Sequence, residues 1–254
     1  MKKINTVRVI NIPNAYRYFT LLTLFSNESA LLFMSSLTSP SDATLPDLVV
    51  FLHGSGDTGA GLRAWVGDRA PDFEATLRAA GVAVAWPDAK PRPYSMFGGA
   101  LLPTWFDRTA LDPHAPEDAA GVAESRAQVT AIISDHRARV EAAGGRAGKV
   151  AVVGFSQGGC LALHCAAGSA VDCVVCLSSF LPDDSGVREA LGASGGPPVF
   201  MGHGSSDAMV PAAWGAATCE WLRQHGGGRT LSWKLYPGIA HDLTAEMCSD
   251  ALAF

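Results

Sequence analysis

Val150-Ala-Val-Val-Gly-Phe-Ser-Gln-Gly-Gly-Cys160 decides how the rest of the chain reads. An apolar, β-branched run, Val150 to Val153, leads into Gly154-Phe155-Ser156-Gln157-Gly158. A helix-compatible segment, Leu161 to Ala167, follows. The pattern predicts strand, sharp turn and helix, with Ser156 at the apex. In so tight a turn, side chains at 154 and 158 would collide with neighbouring backbone, and glycine removes the collision. The serine hydroxyl is then held above a sheet edge, over the N–H-rich start of a helix that favours negative charge.

Around this stretch the chain has 254 residues, 48% apolar and 17% charged, with a formal net charge of −5. That suits one globular domain able to bury a substantial core. A weakly acidic chain without a basic cluster argues against nucleic acid as a partner. No apolar run approaches the ~20 residues that span a bilayer. The six cysteines (160, 165, 173, 176, 219 and 248) sit mostly in apolar segments. Cys173 and Cys176 share a predicted strand over residues 171–178. Three residues apart in a strand is opposite faces, so neither a shared metal nor a disulfide is expected. They read as small buried hydrophobes of a reducing, cytoplasmic compartment.

Residues 1–34 differ from the remainder. All four asparagines lie there and none of the 27 glycines does. The segment has four basic residues and one acid, hence +3, which leaves −8 on the rest of a −5 chain. Two readings fit: a basic, acid-poor targeting peptide of the mitochondrial kind, or a misassigned start with Met34 as initiator. Either way the expected domain is 35–254.

From residue 45 the pattern alternates. Strands are expected at 48–53, 82–86, 150–153, 171–178, 198–202 and 231–236. Helices are expected at 62–80, 117–143, after Ser156, near 185–192, and at 212–225 and 242–253. Between them, 89–116 reads as one long irregular stretch with five prolines, a length usually tied to function. Alternating β and α implies a mostly parallel sheet with helices on both faces, and ligands at the carboxyl ends of its strands.

A serine hydroxyl needs a base, and imidazole titrates in the right range. Downstream of Ser156 stand His164, His203, His225 and His241. His164 lies inside the helix leaving the turn and cannot swing back. His225 ends a polar helix beside three glycines. His203 and His241 each follow a strand, and His241 sits in a loop beyond the strand end, where the base must be. An acid must orient that imidazole. Asp207, in the turn-rich Gly202-His-Gly-Ser-Ser-Asp207 after another strand, fits best. Asp183 and Asp184 read as a loop or cap, and Asp242 is too close in sequence to His241. The oxyanion needs preorganised N–H donors. One is Gln157, directly after the serine. The other is assigned to Ser55 in the glycine-rich turn Phe51-Leu-His-Gly-Ser-Gly-Asp-Thr-Gly59. His53 reads there as scaffold and Asp57 as a turn residue.

These pieces resemble the acyl-protein thioesterase/lysophospholipase family, most closely its lysophospholipase-like members. The matching segments are 51–59, G-L-R-A-W at 61–65, P-R-P-Y at 91–94 and G-G at 98–99. W-F-D-R at 105–108, G-F-S-Q-G-G-C at 154–160 and L-S-S-F-L at 177–181 follow in family order. H-G-S-S-D at 203–207 and G-I-A-H at 238–241 complete the set. The resemblance implies a single-domain α/β-hydrolase without a large cap, and Ser156, Asp207 and His241 as its triad. It implies that Gly98, Gly99, Leu101, Trp105 and Phe106 border an acyl channel, with Trp105 near the nucleophile. It implies no cofactor and no metal, and an acyl ester or thioester of a small molecule, lipid or acylated protein as substrate. Two departures stand out. The last helix is short for the family, which leaves monomer and weak homodimer both open. Position 55 is serine where palmitoyl-thioesterase members carry leucine, so a palmitoyl preference is not implied. A binding protein or receptor of the same fold with little turnover is the competing reading. A peptidase is disfavoured because no propeller or bulky cap sorts peptides.

Overall fold

The computed structural model describes residues 47–254 apart from Ser169, Ala193 and Ser194. The leader at 1–34 lies outside the described residues. Six parallel strands form one sheet: β1 Leu48–Leu52, β2 Ala83–Ala85, β5 Val150–Phe155, β6 Cys173–Leu177, β7 Val199–Gly204 and β8 Leu231–Tyr236. Their spatial order is β2-β1-β5-β6-β7-β8. Every residue of β1, β5 and β7 is buried, as the continuous apolar runs require of strands covered on both faces.

The pleat divides the core in two. Val50, Leu52, Val152 and Cys176 point to one face, with Val122, Val129 and Ile133 of α3 (Ala119–Ala142) and Leu161 and Leu163 of α4 (Gln157–Cys165). Cys219 and Leu222 of α6 (Ala212–His225) join them, as does Leu191 of the short α5 (Val187–Gly192). Val49, Phe51, Val153 and Val175 point to the other face, with Leu62 of α1 (Gly59–Arg69), Leu77 of α2 (Phe73–Ala79) and Met247 of α7 (Ala245–Ala253). Cys176 belongs to the first cluster and Cys173 packs on the second, so the C-x-x-C pair is split across the sheet. All six cysteines are free thiols. No helix among the described residues is long and apolar enough to cross a membrane.

Two sequence expectations are corrected. The helix expected over 62–80 is two helices. Pro71 drives Ala70 out of the helical region (φ −137°, ψ 75°), and α1 stops there. α1 also starts earlier, at Gly59, because the Thr58 side chain accepts the Gly61 N–H. The stretch 89–116 is not structureless. It holds an antiparallel hairpin, β3 (Pro91–Tyr94) and β4 (Ala100–Pro103), joined through Ser95–Phe97 and two glycines with positive φ. Three prolines argue against strands, yet an isolated two-stranded ribbon has outer edges where a missing N–H costs nothing.

Register places the site. Leu52 of β1 pairs with Gly154 of β5, which pairs with Cys176 of β6. The loops after β1, β5, β7 and β8 therefore open on one carboxyl edge, where parallel sheets bind ligands.

Candidate active site

Ser156 connects β5 to α4 with φ 53° and ψ −121°, a conformation non-glycine residues rarely adopt. The crossing of backbones explains it. A Cβ added at Gly154 would lie 2.1 Å from the Gly158 carbonyl oxygen, and one at Gly158 would lie 2.2 Å from that of Leu52. The strained turn is pinned from β6, since the Ser156 N–H donates to the Leu177 carbonyl at 2.9 Å. Ser178, directly after β6, is the other described non-glycine residue with positive φ (49°).

His241 lies in the loop after β8, its ring 4.8 Å from the Phe155 ring that precedes the serine. Its Nδ1 is 2.7 Å from Asp207 Oδ2. With a carboxylate accepting, the proton sits on Nδ1 and Nε2 keeps its lone pair. The Asp207 side chain is fully buried. Its Oδ1 accepts the Met209 N–H at 3.0 Å and the Val210 N–H at 2.8 Å. His203 closes the same loop by donating from Nε2 to the Val210 carbonyl at 2.8 Å, and that nitrogen lies 3.4 Å from Asp207 Oδ2. Burial pushes the His203 pKa down, so it serves as a neutral donor.

The loop after β1 stands beside the serine, where a Cβ on Gly54 would meet Ser156 Cβ at 3.4 Å. His53 is wholly buried. Its Nε2 accepts the Ala89 N–H at 3.0 Å and its Nδ1–H donates to the Gly54 carbonyl at 2.7 Å. Burial lowers its pKa and keeps that neutral tautomer. The scaffold reading of His53 agrees with this arrangement. Gln157 opens α4, so its backbone N–H has no acceptor within the helix.

Ser156, Asp207, His241, Ser55 and Gln157 thus all lie on the loops and helix start of one sheet edge. The five expected channel residues do not share one surface. Gly98, Gly99 and Leu101 are exposed on the hairpin, Leu101 by 71%. Trp105 and Phe106 are buried, at 0% and 1%. The physical reason is hydrogen bonding: both are tied to the Gln157 side chain, which accepts the Trp105 N–H at 2.9 Å and donates to the Phe106 carbonyl at 2.7 Å.

Sequence reasoning also passed over a polar cluster one turn along α4. Glu117, Cys160 and His164 bring three ligand-type atoms within 4.8 Å of one another. They satisfy each other without an ion. His164 Nε2 lies 2.8 Å from Glu117 Oε1, and Ser185 Oγ donates to Glu117 Oε2 at 2.9 Å. Burial alone would lower the His164 pKa, but Cys160 and Glu117 outweigh it and raise it from 6.5 to about 9. Burial alone would raise Glu117, but the contacts with His164 and Ser185 and the Arg108 charge hold it low. The cluster is a buried ion pair holding the segment before α3 against α4. A folded pKa above the unfolded one stabilises fully below pH 6.5 and is lost as pH rises to about 9. The unfolding free energy is expected to fall by ~1–3 kcal/mol across that window. His164→Gln should flatten the fall in urea titrations at pH 6 and 9.5, and equal slopes in both proteins would remove the ion-pair assignment.

A sequence profile of the phospholipase/carboxylesterase family matches residues 35–254. The chain belongs to that family. Lysophospholipase-like protein 1 of Mus musculus is 33% identical over 77% of this chain and 80% of its own length. Acyl-protein thioesterase 1 of Debaryomyces hansenii is 30% identical over 81% of this chain and 88% of its own. Among solved structures, Zea mays acyl-protein thioesterase 2 superposes with a TM-score of 0.68 at 26% identity, covering 84% of this chain and 94% of that one. This phospholipase/carboxylesterase member is an α/β-hydrolase whose six parallel strands fall where its sequence places them.

Proposed function

We propose that the protein hydrolyses acyl esters and thioesters through an acyl-enzyme on Ser156. The observation that carries this reading is the His241–Asp207 pair, bonded at 2.7 Å, on the same sheet edge as the strained serine. Ser156 Oγ attacks the acyl carbonyl carbon while His241 Nε2 takes its proton. The carbonyl oxygen becomes an oxyanion held by the N–H groups of Ser55 and Gln157. The tetrahedral intermediate collapses, the bond to the alcohol or thiol breaks, and His241 returns the proton to that leaving group. Water, deprotonated by His241, then attacks the acyl-enzyme and frees the carboxylic acid and Ser156. Asp207 holds the imidazole in the required tautomer throughout and offsets its charge when protonated. The only co-reactant is water.

The substrates are acyl-protein thioesters, lysophospholipids or short-chain acyl esters, a range supported by the names of the relatives. Exposed apolar Met209, two residues beyond Asp207, suits an acyl group at the mouth of the site. Six free, mostly buried thiols suit the reducing cytoplasm, where the protein acts as a monomer or weak homodimer.

The test is kcat/KM across C2 to C16 acyl esters and the matching thioesters. Multiple turnovers with at least one series are expected, with a burst of leaving group equal to the enzyme. Stoichiometric fluorophosphonate labelling of Ser156 with no turnover on any member would instead identify a binding protein that kept the triad.

A further inference from the structure

Trp105 has no contact with solvent, yet its indole reaches the site. Its Nε1–H donates to the His53 carbonyl at 2.8 Å, two residues before Ser55. The rings of His53 and Trp105 lie 4.9 Å apart. One residue past Ser55, the Gly56 N–H donates to the Pro103 carbonyl at 2.8 Å. The loop carrying the first oxyanion donor is therefore tied on both sides to residues 103 and 105.

The second donor is tied to the same stretch. The Gln157 carboxamide oxygen accepts the Thr104 hydroxyl at 2.6 Å and the Trp105 backbone N–H at 2.9 Å. Its amino group donates to the Phe106 carbonyl at 2.7 Å. The Trp105 carbonyl is taken by the Ser125 hydroxyl of α3. Two N–H donors a hundred residues apart in sequence are thus held by one four-residue segment. Thr104, Trp105 and Gln157 carry no group that titrates in the working range, and His53 is kept neutral by burial.

We infer that Pro103–Phe106 is the brace that sets the spacing of the two oxyanion donors, and that Trp105 and the Gln157 side chain are its positioning residues. The inference rests on Ser156 being the nucleophile. It moves Trp105 from the acyl wall to the machinery behind the oxyanion. A brace acts on charge developing at the carbonyl oxygen, which every acyl substrate shares. A wall acts on the chain, which differs between substrates.

Trp105→Phe keeps most of the ring and loses the N–H to His53. Gln157→Glu keeps the acceptor for Thr104 and Trp105 but loses the donor to Phe106. Both, in the full chain, are expected to lower kcat about tenfold to a hundredfold, less than the ~10²–10³ of deleting a donor and in line with the ~10² cost of a 1 Å misplacement. KM should stay within about twofold, and the ratio of kcat for C2 and C8 esters should not change. Affinity for an alkyl boronic acid, which mimics the tetrahedral intermediate, should fall with kcat/KM. Unchanged kcat in folded Trp105→Phe, or a loss that differs between C2 and C8, overturns the brace. If Trp105→Phe does not fold, Gln157→Glu decides by the same readouts. Failure of the parent reading would look different: the wild-type protein would not be labelled at Ser156 by a fluorophosphonate.

Discussion

Ser156→Ala is expected to lower kcat by about 10⁶, the scale of removing the nucleophile from a working triad. Some ~10³–10⁴ over water should survive, because the oxyanion donors and the substrate site remain. The substitution is a clean one here. Alanine meets the same backbone demand as serine at φ 53°, so the elbow is strained equally with either residue. The elbow is held through its backbone, by the Ser156 N–H to Leu177 and by the Gly159 and Cys160 N–H groups to the Ser156 carbonyl. None of these is lost with the hydroxyl. The thermal midpoint should stay within a few degrees of the parent, or rise, as when a strained polar site is neutralised. Hydrolysis of p-nitrophenyl acetate and fluorophosphonate labelling check it together. Turnover close to that of the parent protein would end the assignment of Ser156.

The polar residues that stand just beyond strands were the easiest to read from sequence. Ser156, Asp207 and His241 each follow a strand, wholly buried for the first two, and precede a turn or helix start. A parallel sheet places all such loops on one edge, so chain order alone brings them together. Glycines at 154 and 158 announced the crossing of backbones that the structure shows. What could not be read was of two kinds. The hairpin at 91–103 was hidden because prolines 91, 93 and 103 speak against strands in general, and only an unflanked ribbon lifts that objection. The roles of Trp105, Gln157 and His164 were hidden because they depend on partners far along the chain. Glu117 and His164 are 47 residues apart, and Trp105 and the His53 carbonyl 52. A tryptophan near a site reads the same in sequence whether its face lines a channel or its N–H supports a loop. The structure adds what sequence could not carry: the ring is fully buried and its N–H donates to the His53 carbonyl.

Asp207→Asn should cost about 10⁴ in kcat while leaving the fold in place. The argument lies in the two oxygens of the carboxylate. Oδ1 accepts two backbone N–H groups, from Met209 and Val210. Oδ2 faces His241 Nδ1 at 2.7 Å, with His203 Nε2 at 3.4 Å. An asparagine has one carbonyl oxygen and one amino group to put in those places. The two backbone donors compel the oxygen to their side, because an NH2 there would face two N–H groups across buried space. The amino group is then left toward His241 and can only donate to Nδ1. The imidazole must take the other tautomer, with its proton on Nε2, and so cannot accept the serine proton. His203 does not rescue it, since its Nε2–H is committed to the Val210 carbonyl and would now face a second donor. Substrate binding needs neither tautomer, so KM should change little while kcat falls. Asp207→Ala loses the loop bonds as well and should lower the thermal midpoint, which Asp207→Asn should barely move. Asp207→Asn retaining a tenth or more of the parent kcat would show that another group orients His241.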